Sequence, residues 1–348
     1  METTAQKVTL PCIRRVLTND WNVHKPEKCV LLLETLKNIY PSSILDELMD
    51  MMIQPKLNLA VKTWLPSYFY DKNNRNNQNI MDYDLNDIND NNRNDNDNNI
   101  NNNNCPIHYW LHPWLPLMKS KLSVYYPEIR RKLNIFINSN WKDIESVKIL
   151  NMISPWKSIF DKISMDNFLI RTVIPKLLIS LRNILINPQN QEIIIFENVL
   201  KWYSLIPHIN FISLLRGEFF DRWLRVLINW LLLSPDFMEV SEWYSGWKSV
   251  FPESLLQDTD IMEPFNKALN LMNIALTSDE IESNKLLKEE NTYFLETSYS
   301  IFLEKKMNDN KMRERLDELN KDERYTSNGS LNVSNAYGLG KKNVHKFN

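Results

Sequence analysis

The feature that most narrows what this chain can become is a set of tryptophans written into proline-punctuated phrases, of which Trp110-Leu111-His112-Pro113-Trp114-Leu115-Pro116 is the densest. Eleven tryptophans stand against only five glycines. A chain this poor in glycine has few positions for left-handed backbone, and its large rings must be buried somewhere. One phrase recurs, as Trp156-Lys157-Ser158-Ile159-Phe160 and Trp247-Lys248-Ser249-Val250-Phe251. Repeated apolar phrases beside proline breaks predict a stacked helical scaffold rather than an enzyme.

Hydrophobic spacing supports that fold. Before residue 67, apolar residues at helical period run through Leu10–Leu17, Glu27–Ile39 and Ser43–Leu65, with Pro41 ending one helix and Ser42-Ser43 offering a cap for the next. Later stretches are Leu115–Ile137, Ile144–Phe160, Asp166–Ile186, Gln189–Leu205, Ile209–Leu233, Phe237–Val250 and Met262–Leu276. Strand alternation is nearly absent, and the β-prone run Ile193-Ile194-Ile195-Phe196 has neighbours that favour a helix. A weak repeat reinforces the pattern: Leu36 through Pro55-Lys56-Leu57 aligns with Trp156 through Pro175-Lys176-Leu177, and Trp247 begins a looser third copy reaching Pro264. The expected fold is all-α, a multi-helical, α-solenoid-like array of helix pairs.

About half the residues from Asp71 to Asn104 are asparagine, and large apolar side chains are scarce there. Such a segment cannot bury enough surface to offset its ordering entropy, so residues 71–104 are expected to be a disordered insert within a domain spanning residues 8–276. Residues 277–325 are charged and suit an exposed helical extension with i,i+4 ion pairs; residues 326–348 read as a flexible tail.

Charge and cysteine content exclude several classes of function. The 41 basic and 43 acidic residues nearly cancel, so no global field draws the chain to nucleic acid or to an anionic membrane. Cys12, Cys29 and Cys105 are few and widely spaced, fitting neither a disulfide framework nor zinc-ligand pairs. The most apolar run, Trp223–Leu233, is about half a membrane span and carries Arg225 and Asn229, which makes it a buried helix. No membrane association and no secretory signal are expected.

Catalytic chemistry finds little to work with. His108 and His112 share a helix face at metal-ligand spacing, but no third ligand is apparent, so no metal is expected and both read as half-buried edges of an aromatic turn. A nucleophile elbow or a phosphate loop needs glycines that are missing. The chain is therefore read as non-enzymatic, with no catalytic residues and no cofactor. Lys176, Arg182, Arg216, Arg222 and Arg225, with Trp223, could make a basic and aromatic surface for RNA, but the three-residue spacing of Arg222 and Arg225 on one helix is better read as a solvated or ion-paired edge. Trp156, Trp230 and Trp247 are expected in the core, while Trp110, Trp114, Trp243 and Tyr244, with Arg222 and Arg225, are the candidate partner-binding residues, since aromatics and arginine anchor interfaces.

The wording of these phrases carries a resemblance. Pro106–Met118, Ser154–Phe160, Val173–Leu177, Ile186–Pro188, Trp223–Leu227, Trp243–Phe251 and Phe265–Met272, with Ile44–Leu48 and Pro55–Leu57 upstream, resemble the GC-rich-sequence DNA-binding-factor-like domain of the tuftelin-interacting protein family of spliceosome disassembly factors. The resemblance implies a nuclear, non-catalytic scaffold in mRNA splicing that binds spliceosomal proteins. Members typically carry a glycine-rich G-patch that engages a DEAH-box RNA helicase; here Tyr337-Gly338-Leu339-Gly340 is only a faint echo, at the other end of the chain. The alternative implied by the domain's name is a nucleic-acid-binding transcription or RNA-processing regulator.

Overall fold

The computed structural model describes residues 4–67, 106–277, 280–292 and 298–315. The insert expected at 71–104 and the tail expected at 326–348 lie outside the described residues. Among the described residues every regular element is helical. They fall into two compact units, the first drawn from Met1–Ile184 with Glu192–Ile206, the second from Leu185–Gln191 with Pro207–Asn348.

In the first unit, helix Tyr126–Asn140 shows how pattern becomes packing. Pro127 sits in its first turn, where its missing N–H costs nothing, and Glu128 there complements the helix dipole. Tyr126, Ile129, Leu133 and Ile137 recur every three or four residues and are all buried. This face packs against helices Gln54–Thr63 and Lys162–Thr172. Lys132, on the same side and also buried, turns its ammonium to the end of helix Gln54–Thr63 and donates to the carbonyls of Val61 (2.9 Å), Lys62 (2.6 Å) and Trp64 (2.7 Å). One side chain thus satisfies carbonyls that a helix end leaves orphaned. Lys56 does the same for the π-helical turn Val16–Asp20, donating to Leu17, Thr18 and Trp21 carbonyls while lying over the Trp21 ring.

The internal repeat is present in the backbone of this unit. Ile53 (φ −89°, ψ −51°) and Val173 (φ −92°, ψ −47°) take nearly the same conformation, each directly before a helix that carries proline in its first turn, Gln54–Thr63 and Ile174–Asn183. The aligned pairs Tyr40 and Phe160, Leu45 and Met165, Leu48 and Phe168, Ile53 and Val173, and Leu57 and Leu177 are buried in both copies. The copies differ in that a π-helical turn, Met49–Ile53, precedes the first break. The looser third copy departs further: Pro264 lies inside one continuous helix, Thr259–Thr277, where no helix pair forms. The Ser42-Ser43 cap is corrected as well, because both serines are helical and Pro41 occupies the cap position.

The second unit is built on His208–Leu215, the π-helical turn Arg216–Phe220 and Asp221–Leu231, which together form one continuous run. Phe237–Val250, opened by the Asp236 carboxylate accepting from the Met238 N–H at 2.8 Å, follows, with Glu253–Leu256 and Thr259–Thr277 after it. The charged extension contributes helix Glu280–Thr292, which packs on Asp221–Leu231 and Thr259–Thr277, and a further helix over residues 299–315.

Candidate partner-binding surface

The rings of the Trp–Pro phrases pack in several ring groups in the first unit and in one connected cluster in the second. In the first, Trp114 meets Trp21 edge-on at 5.2 Å, Trp110 meets His24 at 5.3 Å, and Trp156 stacks on Phe160 at 4.8 Å while His112 approaches it edge-on at 4.7 Å. Trp110 and Trp114 are 0% exposed. As placed, they offer no surface to a partner, and the expectation of anchors at these two positions gives way to packing. The phrase around them bends because helix Ile107–Leu111 passes through a tight His112–Trp114 turn into helix Leu115–Leu122, with Pro113 and Pro116 each in a first turn. That bend presents both indoles inward.

His108 and His112 lie with ring centroids 5.7 Å apart, and burial drives both imidazoles down to about 4, helped at His108 by its neighbour. Both are neutral at physiological pH. No group of three metal-capable side chains occurs among the described residues.

In the second unit, Trp223 stacks on Trp243 (5.2 Å, 11° between planes), Trp247 packs against Phe219 at 5.0 Å, and Phe220, Phe251 and Phe265 complete the cluster. Trp243 and Tyr244 retain only 9% and 7% exposure. Trp156 and Trp247 are core, as expected, whereas Trp230 is half-buried and meets Trp243 edge-on at 5.9 Å. Helix Asp221–Leu231 turns Trp223, Leu224, Leu227, Ile228 and Leu231 inward, and Arg222 and Arg225 are left half-buried on its flank. Desolvation lowers the affinity of Arg222 for its proton and raises the Asp221 carboxyl to about 6 against the pull of Arg216 and Arg225. His208 pairs with Asp258 at 3.1 Å, tying the start of helix His208–Leu215 to the approach of helix Thr259–Thr277.

A cavity and a close helix contact went unread in the sequence. One is a cavity of about 320 Å³ lined by Leu33, Lys37, Leu45, Asp46, Met49 and Leu117, beside which Lys121 bridges Asp46 and Asp50. The other is the contact between the π-helical turn at Gly217-Glu218 and Tyr299. Its one legible signal was a glycine inside the apolar helical run Leu214-Leu215-Arg216-Gly217-Glu218-Phe219-Phe220.

Comparison with known proteins places these observations in a lineage. Residues 2–96 and 91–227 match the model of the GC-rich sequence DNA-binding factor-like protein family. The chain is 32% identical over 273 residues to tuftelin-interacting protein 11 of Homo sapiens, and the same identity over the same length holds for the proteins of that name from Pan troglodytes and Sus scrofa. These alignments cover 78% of this chain and 28% of each relative.

Proposed function

The chain belongs to the GC-rich sequence DNA-binding factor-like family, and from that membership we propose that it is a nuclear, non-catalytic helical scaffold that binds splicing proteins while the intron-lariat spliceosome is dismantled. The observation that carries the proposal is the 32% identity to tuftelin-interacting protein 11 across 273 residues. Rigid, ring-packed helical units suit presentation of fixed surfaces to protein partners. Arg222, Arg225 and the narrow exposed rims of Trp243 and Tyr244 are the residues we assign to partner contact in the second unit. The test is capture from nuclear extract with the chain as bait. Enrichment of late spliceosomal proteins together with a DEAH-box helicase is expected; recovery of neither would sink the proposal.

The second reading, a nucleic-acid-binding regulator, has the family description and the Arg222 and Arg225 flank in its favour. It predicts RNA or DNA affinity that falls steeply with salt. The scaffold reading instead predicts only weak binding at physiological salt, given a net charge of −2.

A further inference from the structure

Helix 299–315 meets the body of the second unit through a set of directed contacts. The backbone N–H of Tyr299 donates to Glu218 Oε1 at 3.1 Å, and Asn210 Nδ2 donates to the Tyr299 hydroxyl at 3.0 Å. Phe302 lies under the Arg216 guanidinium, 5.3 Å from the ring centroid, and Lys306 approaches the same ring at 5.8 Å while pairing with Asp260 at 2.7 Å. The floor is Gly217, where a Cβ would overlap the backbone nitrogen and Cα of Tyr299. Glycine is needed here for close approach, and its position in a π-helical turn splays the run Arg216–Phe220 to open that floor.

The groove is far better built than the helix that fills it. Glu218 is 7% exposed, and a carboxylate held that deep requires a donor. One donor to it is the Tyr299 N–H, the first of a helix and a group no helix can satisfy internally. On the other side, no residue of 298–315 is buried, and every residue from 307 to 315 is exposed. A segment that lends no side chain to the core sits at the low end of local stability. The groove residues Asn210, Arg216, Gly217 and Glu218 fall inside the stretch matched by the family model, 91–227, whereas Asp260 and the occupying helix fall outside it.

We propose that this groove is a docking site for the N-terminal turns of an amphipathic helix from another protein, and that residues 298–306 occupy it in cis as a displaceable stand-in. The occupant shows what the site reads: an accessible first N–H for Glu218, an aromatic residue there and another three residues on for Arg216, and a lysine four residues further for Asp260. The proposal goes beyond the splicing reading, since it concerns a helix-recognition chemistry that holds whichever assembly supplies the partner.

The test uses the full chain and a fluorescent synthetic peptide of residues 297–315. Phe302→Ala combined with Lys306→Ala frees the groove, so the peptide is expected to bind this variant at least about tenfold more tightly than the parent, whose own segment competes for the site. Adding Gly217→Val or, as an alternative of similar volume without an acceptor for the Tyr299 N–H, Glu218→Met is expected to abolish that gain, with helical circular dichroism confirming that each variant folds. Hydrogen exchange should in parallel show amides 299–306 protected in the parent and released in Phe302→Ala/Lys306→Ala. Equal peptide binding to parent and variant, no binding to either, or binding that survives Gly217→Val and Glu218→Met would overturn the proposal.

Discussion

The tryptophan rings and two lysines carry the fold at the scale of single residues. Trp247, 2% exposed and packed on Phe219 and Trp243, is a core side chain, so Trp247→Ala is expected to cost about 3–5 kcal/mol in urea unfolding. The half-buried Trp230 should cost about 1 kcal/mol when truncated. Equal losses at the two positions would mean that the two rings share one burial environment. Lys132 is the less obvious case. Burial disfavours its charge, yet three carbonyls at 2.6 to 2.9 Å hold the ammonium at the end of helix Gln54–Thr63. Lys132→Met keeps the stem and orphans those carbonyls, with an expected loss of about 2–4 kcal/mol. A loss near zero would show that water replaces the ammonium without cost. Neither lysine cap was legible in the sequence, because a long charged side chain on a helix surface reads the same whether it reaches water or a neighbouring helix end.

Among the elements, the helices themselves and one repeat were readable, and the breaks were readable only in part. Tyr126–Asn140 follows its apolar spacing faithfully, and Ile53 and Val173 show that the aligned Pro-Lys-Leu phrases mark the same backbone bend. The third copy failed because a proline tolerated near the start of a long helix looks, in sequence, like one that begins a new helix. The π-helical turns at Met49–Ile53 and Arg216–Phe220 were unreadable because they change hydrogen-bond register without interrupting apolar periodicity. The bend after helix Ile107–Leu111 also has a consequence for pH. His108 and His112, held to about 4 chiefly by burial, refuse protons that the unfolded chain accepts below about 6.5. Their contribution to stability is therefore complete above pH 6.5 and is lost as pH falls towards 4. Asp221, raised to about 6, acts in the opposite sense over the lower part of that window, so the informative quantity is the difference between parent and variant. His108→Gln/His112→Gln is expected to flatten the acid limb of a plot of stability against pH. An unchanged limb would place the protonation elsewhere.

Across the whole molecule, the all-α class was legible and the division into two units was not. The boundaries near Leu185–Gln191 and Pro207 fall within stretches whose period is helical on both sides, and only tertiary contact separates them. The candidate partner residues show the same limit: Trp110 and Trp114 have interface chemistry by type, but burial is decided by the fold around them. The splicing assembly in which such a scaffold would act is proposed from family membership and from the identity to tuftelin-interacting protein 11, not from geometry. The most direct test is co-sedimentation of the purified chain with spliceosomes stalled at successive stages. The scaffold account predicts strong enrichment on intron-lariat complexes over those stalled before exon ligation, unaffected by nuclease trimming of exposed RNA. Equal association at every stage, or association that nuclease abolishes, would contradict it.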